Sequence, residues 1–83
     1  PAASGKVVSS MIVYILYSKT LGKHYVGQTE DLARRITEHN SGKGVFTSKG
    51  VPWELMHSFV CEDRSEAMRL EKSIKSRGIQ RYL

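Results

Sequence analysis

The sequence predicts an α+β fold in which a small sheet is covered by helices. Short β-branched and aromatic runs, typical of strands, are followed by segments whose apolar residues recur every three or four positions, typical of amphipathic helices. The predicted order is strand, strand, helix, loop, strand, helix. Because 83 residues are enough for one domain, we expect these elements to form one layered arrangement.

Three segments have the composition of strands. Residues 11–17 and 24–28 are separated by a polar stretch that contains Gly22 and has the length of a hairpin turn, so we expect them to pair antiparallel. Gly27, inside the second strand, marks a position where a side chain is unwelcome. The third strand is predicted over residues 53–61.

Two helices are predicted, one after the hairpin and one after the third strand. The first is expected to begin at a Thr29 N-cap and to end near Asn40, with Leu32 and Ile36 as its buried stripe. The second begins at Asp63, which has a glutamate three residues later, and runs to about Arg77.

The chain is predicted to contain a single domain, residues 11–83, after a flexible tail. Residues 1–10 are small and polar, and Met11 directly precedes the first apolar run. We therefore expect Met11 to be the natural start and the preceding residues to be an expression remnant. Residues 41–50 are rich in glycine and lysine and predict a loop, with a short helical turn around Phe46.

The charge balance favours an anionic partner. Thirteen Lys and Arg against eight Asp and Glu give a net charge of +5, which favours nucleic acid first and an acidic membrane surface second. A basic surface without a function is the alternative. No apolar run approaches the ~18 residues of a membrane span. The single cysteine cannot form a disulfide within this sequence, so a reducing, cytoplasmic setting is expected.

Several classes of site find no support in the sequence. There is no CxxC or Cys/His cluster for zinc, and no GxSxG or HExxH motif of serine hydrolases or zinc proteases. The segment SGKG at residues 41–44 lacks the spacer and the following Ser or Thr of a phosphate-binding P-loop.

Glu71 is the most informative candidate residue. It shares one stripe of the second helix with the apolar residues Ala67, Leu70 and Ile74. Burying a carboxylate there has a large desolvation cost unless a cation lies beside it. The alternative is that Glu71 lies at the edge of the stripe and pairs with Lys75 or Arg69 in water.

Arg35 and His39 lie four residues apart, so their side chains emerge side by side from the first helix. They are either a phosphate-facing pair or a solvated flank in which Arg35 pairs with Asp31. Tyr14 and Tyr25 lie on neighbouring predicted strands. Such tyrosines are usually core residues, and a catalytic one needs a nearby cation to lower a pKa near 10.

Taken together, these residues resemble the GIY-YIG nuclease superfamily. Ile12-Val13-Tyr14 matches the first motif and Tyr25-Val26-Gly27 the second, with ten residues between them, which is the spacing that the family shows. Arg35 matches the family's arginine, and His39 stands where small single-domain members carry His and the DNA-repair excinuclease carries Tyr. Glu71 matches the metal-binding glutamate. The resemblance extends to the small bacterial branch and to Slx-type nuclease domains.

The resemblance implies a one-metal phosphodiesterase that acts on DNA in repair or recombination, built on a three-stranded antiparallel sheet between helices. Glu71 would hold Mg²⁺ or Mn²⁺, and Arg35 would bind the scissile phosphate. Tyr14, oriented by Tyr25, or else His39, would take the proton from the attacking water. The groups Tyr14, Tyr25, Arg35 and Glu71 are then expected to line one open cleft.

Substrate choice stays open at this level. Ile12 replaces the glycine of the first family motif, and sequence-independent phosphate contacts are expected from Arg34, Lys43 and Lys49. The alternative to an endonuclease is a nucleic-acid-binding module that does not cut, or cuts only with a partner protein. A homodimer would also supply further contacts.

Overall fold

The computed structural model describes residues 10–41 and 47–83. Nearly all of the expected tail, residues 1–9, lies outside the described residues, and so do Lys43 and Phe46. The described elements, in chain order, are β1 (Met11–Ser18), β2 (Lys23–Thr29), α1 (Leu32–Asn40), β3 (Trp53–Cys61) and α2 (Arg64–Arg77), with short 3₁₀ turns at Thr47–Gly50 and Ile79–Tyr82.

The three strands form one antiparallel sheet in the order β2-β1-β3. β1 and β2 form the predicted hairpin, in which Ile12 pairs with Thr29 and Ser18 pairs with Lys23. Gly22 closes the turn with a φ of 64°, a left-handed conformation that favours glycine, and its N–H donates to the Ser18 carbonyl at 2.7 Å. The α+β fold with a three-stranded antiparallel sheet is confirmed.

A β-bulge in β3 changes which of its side chains face each layer. Ile15 of β1 pairs with His57, whereas the next residue, Leu16, pairs with Leu55. Met56 is therefore an additional residue in β3, and the alternation of its side chains shifts at this point. As a result, the two ends of β3 contribute to different layers of the core.

The two helices cover opposite faces of the sheet. The core on the α2 side contains Met11, Val13, Ile15, Val26, Cys61, Ala67 and Ile74. The core on the α1 side contains Tyr14, Leu16 and Trp53, with Leu32 and Ile36 packed against it. Alternation along the strands places neighbouring residues of the central strand in different cores. No helix of the described ranges is long and apolar enough to cross a membrane.

The first helix begins two residues later than expected. Asp31, not Thr29, is the N-cap, and its carboxylate accepts a hydrogen bond from the Arg34 N–H at 3.1 Å. Thr29 is still paired with β1, and its hydroxyl accepts from the Asp31 N–H at 3.1 Å in the turn between strand and helix. Strand pairing keeps Thr29 in the sheet and leaves the cap to Asp31.

The second helix begins and ends where the sequence predicted. Asp63 is its N-cap and accepts from the Glu66 N–H at 2.9 Å, while the Glu66 carboxylate accepts from the Glu62 N–H at 2.7 Å. Gly78 follows the last turn with a φ of 99°. This helix carries Glu71 on a stripe that faces β1 and β2.

Candidate functional site

A hydrogen bond between Tyr14 and His39 joins the central strand to the last turn of α1. The Tyr14 hydroxyl lies 3.0 Å from His39 Nε2. Tyr14 is fully buried, and His39 is only 6% exposed. The expected buried stripe of α1, Leu32 and Ile36, is therefore incomplete, because both are only partly buried and His39 is the residue that α1 buries. The His39 imidazole points from α1 into the core, where it contacts the Tyr14 phenol.

Two further aromatic residues complete what we call the aromatic cluster, defined as Tyr14, Tyr25, His39 and Trp53. The Tyr25 ring centroid lies 4.9 Å from that of His39 and 6.3 Å from that of Tyr14. The Trp53 ring lies 6.0 Å from Tyr25 and 6.5 Å from His39. The cluster fixes the orientation of the imidazole by packing on several sides.

Asn40 ties the cluster together, although the sequence suggested for it only the role of ending the helix. Its side-chain oxygen accepts from the Trp53 N–H at 2.6 Å, and its amide nitrogen donates to the Trp53 carbonyl at 3.3 Å. The residue after His39 is thereby held to the start of β3. No sequence signal points to this contact, because it depends on where β3 lies relative to α1.

The protonation states of the buried pair follow from its surroundings. Burial, and then the nearby Tyr25, raise the pKa of Tyr14 to about 12, while Arg35 acts in the opposite direction. Burial and the positive charge of Arg35 lower the pKa of His39, against a smaller opposing effect of Glu38. At neutral pH the phenol therefore keeps its proton and the imidazole is uncharged, so the imidazole is free to accept a proton.

Tyr14 provides a test of this environment. Because its folded-state pKa of about 12 exceeds the ordinary 10.0, burial of the neutral phenol stabilises the fold below pH 10, and this contribution is lost as the pH rises towards 12. We expect wild type to lose about 2–3 kcal/mol more unfolding free energy over that interval than Tyr14→Phe. Chemical denaturation at several pH values measures the difference. Equal losses in both proteins would contradict the raised pKa.

Arg35 lies beside this pair. Its side chain is 37% exposed, and its Nε atom lies 3.2 Å from Glu38 Oε1, so the arginine pairs with Glu38 rather than with Asp31. The Nε atom is nevertheless buried and has no hydrogen bond of good geometry to the described part of the chain. A half-exposed pair of this kind stabilises little, and the guanidinium keeps donors for a ligand.

Glu71 is held by two partners. Its Oε2 atom lies 2.6 Å from Lys75 Nζ, which is the partner that the alternative of a pair in water predicted. The lysine end of this pair is in water, because Lys75 is 57% exposed, whereas the glutamate side chain is only 19% exposed and its Oε1 atom accepts from Gln28 Nε2 at 3.1 Å. No pattern in the sequence singles out Gln28, which reaches Glu71 from the edge strand β2.

The surroundings of Glu71 suit a hard divalent cation. Within residues 10–41 and 47–83, no group of three or more His, Cys, Asp or Glu residues could hold a metal. The Gln28 Oε1 atom, however, is buried without a hydrogen-bond partner among these residues, beside the carboxylate. One carboxylate and one amide oxygen, completed by water, form the oxygen donor set that Mg²⁺ accepts. The residues present therefore fit the metal that the resemblance implies.

The expected open cleft does not include Tyr14. Tyr14 is fully buried. Arg35 and Glu71 line two cavities, of about 180 Å³ and about 510 Å³, and Gln28 lines both. Gln28 of β2 thus adjoins both cavities, although α1 and α2 cover opposite faces of the sheet. Glu71 is also near enough to raise the pKa of Tyr14 slightly.

The expected DNA-contact residues are only partly assembled. Arg34 lines the smaller cavity next to Arg35, although its side chain is mostly exposed and lies 3.8 Å from Glu38. Lys49 is exposed in the short turn before β3. Lys43 lies outside the described residues.

The chain is similar in sequence to several UPF0213 proteins. The chain is 45% identical over 65 residues to a UPF0213 protein of Yersinia enterocolitica, covering 76% of this chain and 65% of that one. It is 44% identical over 55 residues to a UPF0213 protein of Halobacterium salinarum, covering 65% and 71%. With a third relative, from Desulfotalea psychrophila, the chain spans between 51% and 71% of these proteins' lengths.

A solved structure and a family description agree with this similarity. The solution NMR structure of the UPF0213 protein BH0048 from Bacillus halodurans superposes with a TM-score of 0.54 at 36% sequence identity, covering 88% of this chain and 78% of that one. Residues 10–81 match the family described as the GIY-YIG catalytic domain. The chain therefore belongs to the GIY-YIG family.

Proposed function

We propose that this chain is a divalent-metal-dependent endonuclease that hydrolyses phosphodiester bonds in DNA. The observation that carries the proposal is the buried hydrogen bond between Tyr14 and His39, with Arg35 one helical turn before His39 on α1. A phosphate bound by Arg35 would lie next to a group able to take a proton. Membership of a family of nucleases supports the same chemistry.

Arg35 is the residue that we assign to the scissile phosphate. A guanidinium presents several donors in a fixed plane, and two of them can bind two phosphate oxygens at once. As water attacks, negative charge grows on those oxygens, and a fixed positive group stabilises the transition state more than the ground state. The weak, half-exposed pairing with Glu38 leaves these donors available.

His39 is the residue that we assign as the final proton acceptor, with Tyr14 as its relay and Tyr25 as an orienting neighbour. A phenol whose pKa is about 12 is almost never ionised at neutral pH, which disfavours Tyr14 as a preformed phenolate base. The attacking water would instead pass a proton to the Tyr14 oxygen while the Tyr14 proton moves to His39 Nε2, 3.0 Å away. The new O–P bond then replaces the bond to the 3′ oxygen, which leaves with the electron pair of that bond and takes a proton from solvent water.

Glu71 and Gln28 are the residues that we assign to the metal. When bound, a divalent cation supplies stabilisation of the charge that develops on the leaving oxygen. Gln28 orients the carboxylate through its N–H and offers the buried Oε1 atom on the same side. Lys75 holds the other carboxylate oxygen, so metal binding requires the lysine to move away.

A second candidate function is nucleic-acid binding without cutting, or with cutting only in the presence of a partner protein. The close pairing of Glu71 with Lys75 and the full burial of Tyr14 favour this alternative, because both keep the groups from a substrate. Cleavage that begins only when a partner or a substrate displaces Lys75 would indicate a dormant nuclease. A pure binding module would not cut under any of these conditions.

The direct test is incubation of the protein with supercoiled, single-stranded and branched DNA, with Mg²⁺, Mn²⁺ or a chelator. We expect metal-dependent nicking and DNA binding that weakens steeply as salt rises. DNA binding without any cleavage on all three substrates would favour the second candidate. Cleavage that persists in the chelator would contradict the metal-dependent proposal.

Gly27 should be essential to the position of Tyr14. A Cβ atom at Gly27 would lie 2.6 Å from the Tyr14 Oη and 2.8 Å from its Cζ, so the ring would have to shift and its 3.0 Å hydrogen bond with His39 would be disturbed. We expect Gly27→Ala to lower the unfolding free energy by about 1–3 kcal/mol and kcat by roughly 10²-fold. Thermal unfolding and cleavage rates measure both effects.

The control for Gly27→Ala is the same change in a Tyr14→Phe background. Removing the hydroxyl removes the nearest clashing atom, so the stability cost of Gly27→Ala should shrink there. An equal cost in both backgrounds would show that the glycine matters for another reason.

A further inference from the structure

The smaller cavity at the β2 edge, which we call the arginine cavity, contains a residue that the proposed mechanism does not use. Its volume is about 180 Å³, and its charged lining residues are Glu30, Arg34, Arg35 and Arg64. Arg34 and Arg35 come from α1, whereas Arg64 is the first residue of α2. Arginines from two helices that are distant in sequence therefore line the same cavity.

The charges in this cavity are unbalanced. Three arginines line it together with a single acidic residue, Glu30. Arg64 makes no ion pair with any residue in the described ranges, and the ion pairs of Arg34 and Arg35 are both with the partly exposed Glu38. Placing like charges together is unfavourable unless an anion joins them. The cavity is thus suited to a compact group of negative charge.

We propose that the arginine cavity binds the phosphate that adjoins the scissile one on the same DNA strand, with Arg64 as its main contact and Arg34 as a second. The inference rests on the proposed function, because it takes Arg35 as the residue of the scissile phosphate. Arg35 precedes His39 by one helical turn and also lines the cavity, so it adjoins both the Tyr14–His39 pair and the cavity. A DNA strand whose scissile phosphate is bound by Arg35 would place its next phosphate near Arg64.

The role of Arg64 is one of positioning the strand. Two phosphates held on a line fix the direction in which the backbone crosses the site. A contact with an unreacting phosphate strengthens ground-state and transition-state binding alike. Loss of Arg64 should therefore change KM and the dissociation constant much more than kcat.

The first experiment compares Arg64→Gln with Arg77→Gln, an arginine at the exposed end of the same helix. DNA binding is measured in the Glu71→Gln background with a short duplex and no metal, so that no strand is cut. We expect Arg64→Gln to weaken binding about tenfold and to lower the slope of log Kd against log salt by about one. Arg77→Gln should leave both nearly unchanged.

The second experiment replaces single phosphates of a substrate strand by uncharged methylphosphonates and maps the cuts. In wild type, a neutral group should suppress cleavage at one of the two adjoining bonds. In Arg64→Gln the same group should cause little further loss, because the contact it removes is already gone. Full suppression in Arg64→Gln as in wild type would overturn the proposal.

The outcomes separate the two proposals. If wild type cuts DNA and Arg64→Gln binds and cuts like Arg77→Gln, the second phosphate site is wrong and the nuclease proposal stands. If wild type never cuts but Arg64→Gln alone loses binding and salt dependence, the phosphate contact stands and the nuclease proposal fails. Equal salt slopes in both variants would exclude Arg64 as a phosphate contact.

Discussion

Replacing Glu71 by glutamine is expected to lower DNA cleavage by on the order of 10³-fold or more while leaving DNA binding intact. The amide has almost the shape of the carboxylate but lacks the charge that a divalent cation requires. The amide oxygen of glutamine can still accept the hydrogen bond from Gln28, and the mostly exposed Lys75 can turn to water. The loss should therefore fall on metal binding and on kcat, not on the fold.

Metal binding provides the readout that does not depend on catalysis. Mn²⁺ binding, followed by electron paramagnetic resonance in the absence of DNA, should be lost in Glu71→Gln and kept in Glu54→Gln, an exposed glutamate of β3. Thermal unfolding of both variants should remain close to wild type. Equal residual cleavage in wild type and Glu71→Gln would point to a contaminating nuclease and would remove Glu71 from the site.

Replacing Arg35 by glutamine should have the second large effect, a fall in kcat on the order of 10³-fold. The positive charge of Arg35 acts on both Tyr14 and His39, and a neutral amide in its place cannot stabilise charge on the phosphate. KM should rise less than kcat falls, because most of this stabilisation arises in the transition state.

The pH profile of Arg35→Gln distinguishes this role from a structural one. Arg35 lowers the pKa of His39, so its removal should raise that pKa and move the acid limb of the residual activity to higher pH. Arg81→Gln, an exposed change in the last turn of the chain, serves as the control and should leave both rate and profile as in wild type. An unchanged acid limb in Arg35→Gln would remove His39 from the proton transfer.

Local features of the fold could be predicted because they depend on neighbours in the sequence. The hairpin around Gly22, the cap at Asp63 and the end of α2 before Gly78 follow from turn and helix chemistry that acts over a few residues. The N-cap of α1 was misplaced at Thr29 for a non-local reason. Pairing with β1 extends β2 through this residue and moves the start of the helix to Leu32.

The candidate site divides in the same way. The residue types and spacing of Tyr14, Tyr25, Arg35, His39 and Glu71 could be recognised from the sequence, since a motif records which groups the chemistry needs. The solvent exposure of these side chains could not be predicted from the sequence. The sheet register and the packing of α1 bury the phenol and the imidazole together, so Tyr14, which was expected in an open cleft, is buried against His39.

The sequence by itself determined the order of the elements, the basic charge and the set of chemical groups that the site contains. Only the tertiary structure decided which of these chemical groups contact one another. Gln28 donates a hydrogen bond to Glu71, which is forty-three positions away in the sequence. Arg64 of α2 lines the same cavity as Arg35 of α1. Such contacts depend on how β2 pairs with β1 and how each helix packs on its face of the sheet. No local pattern encodes them, because they arise from the sum of all these packing interactions.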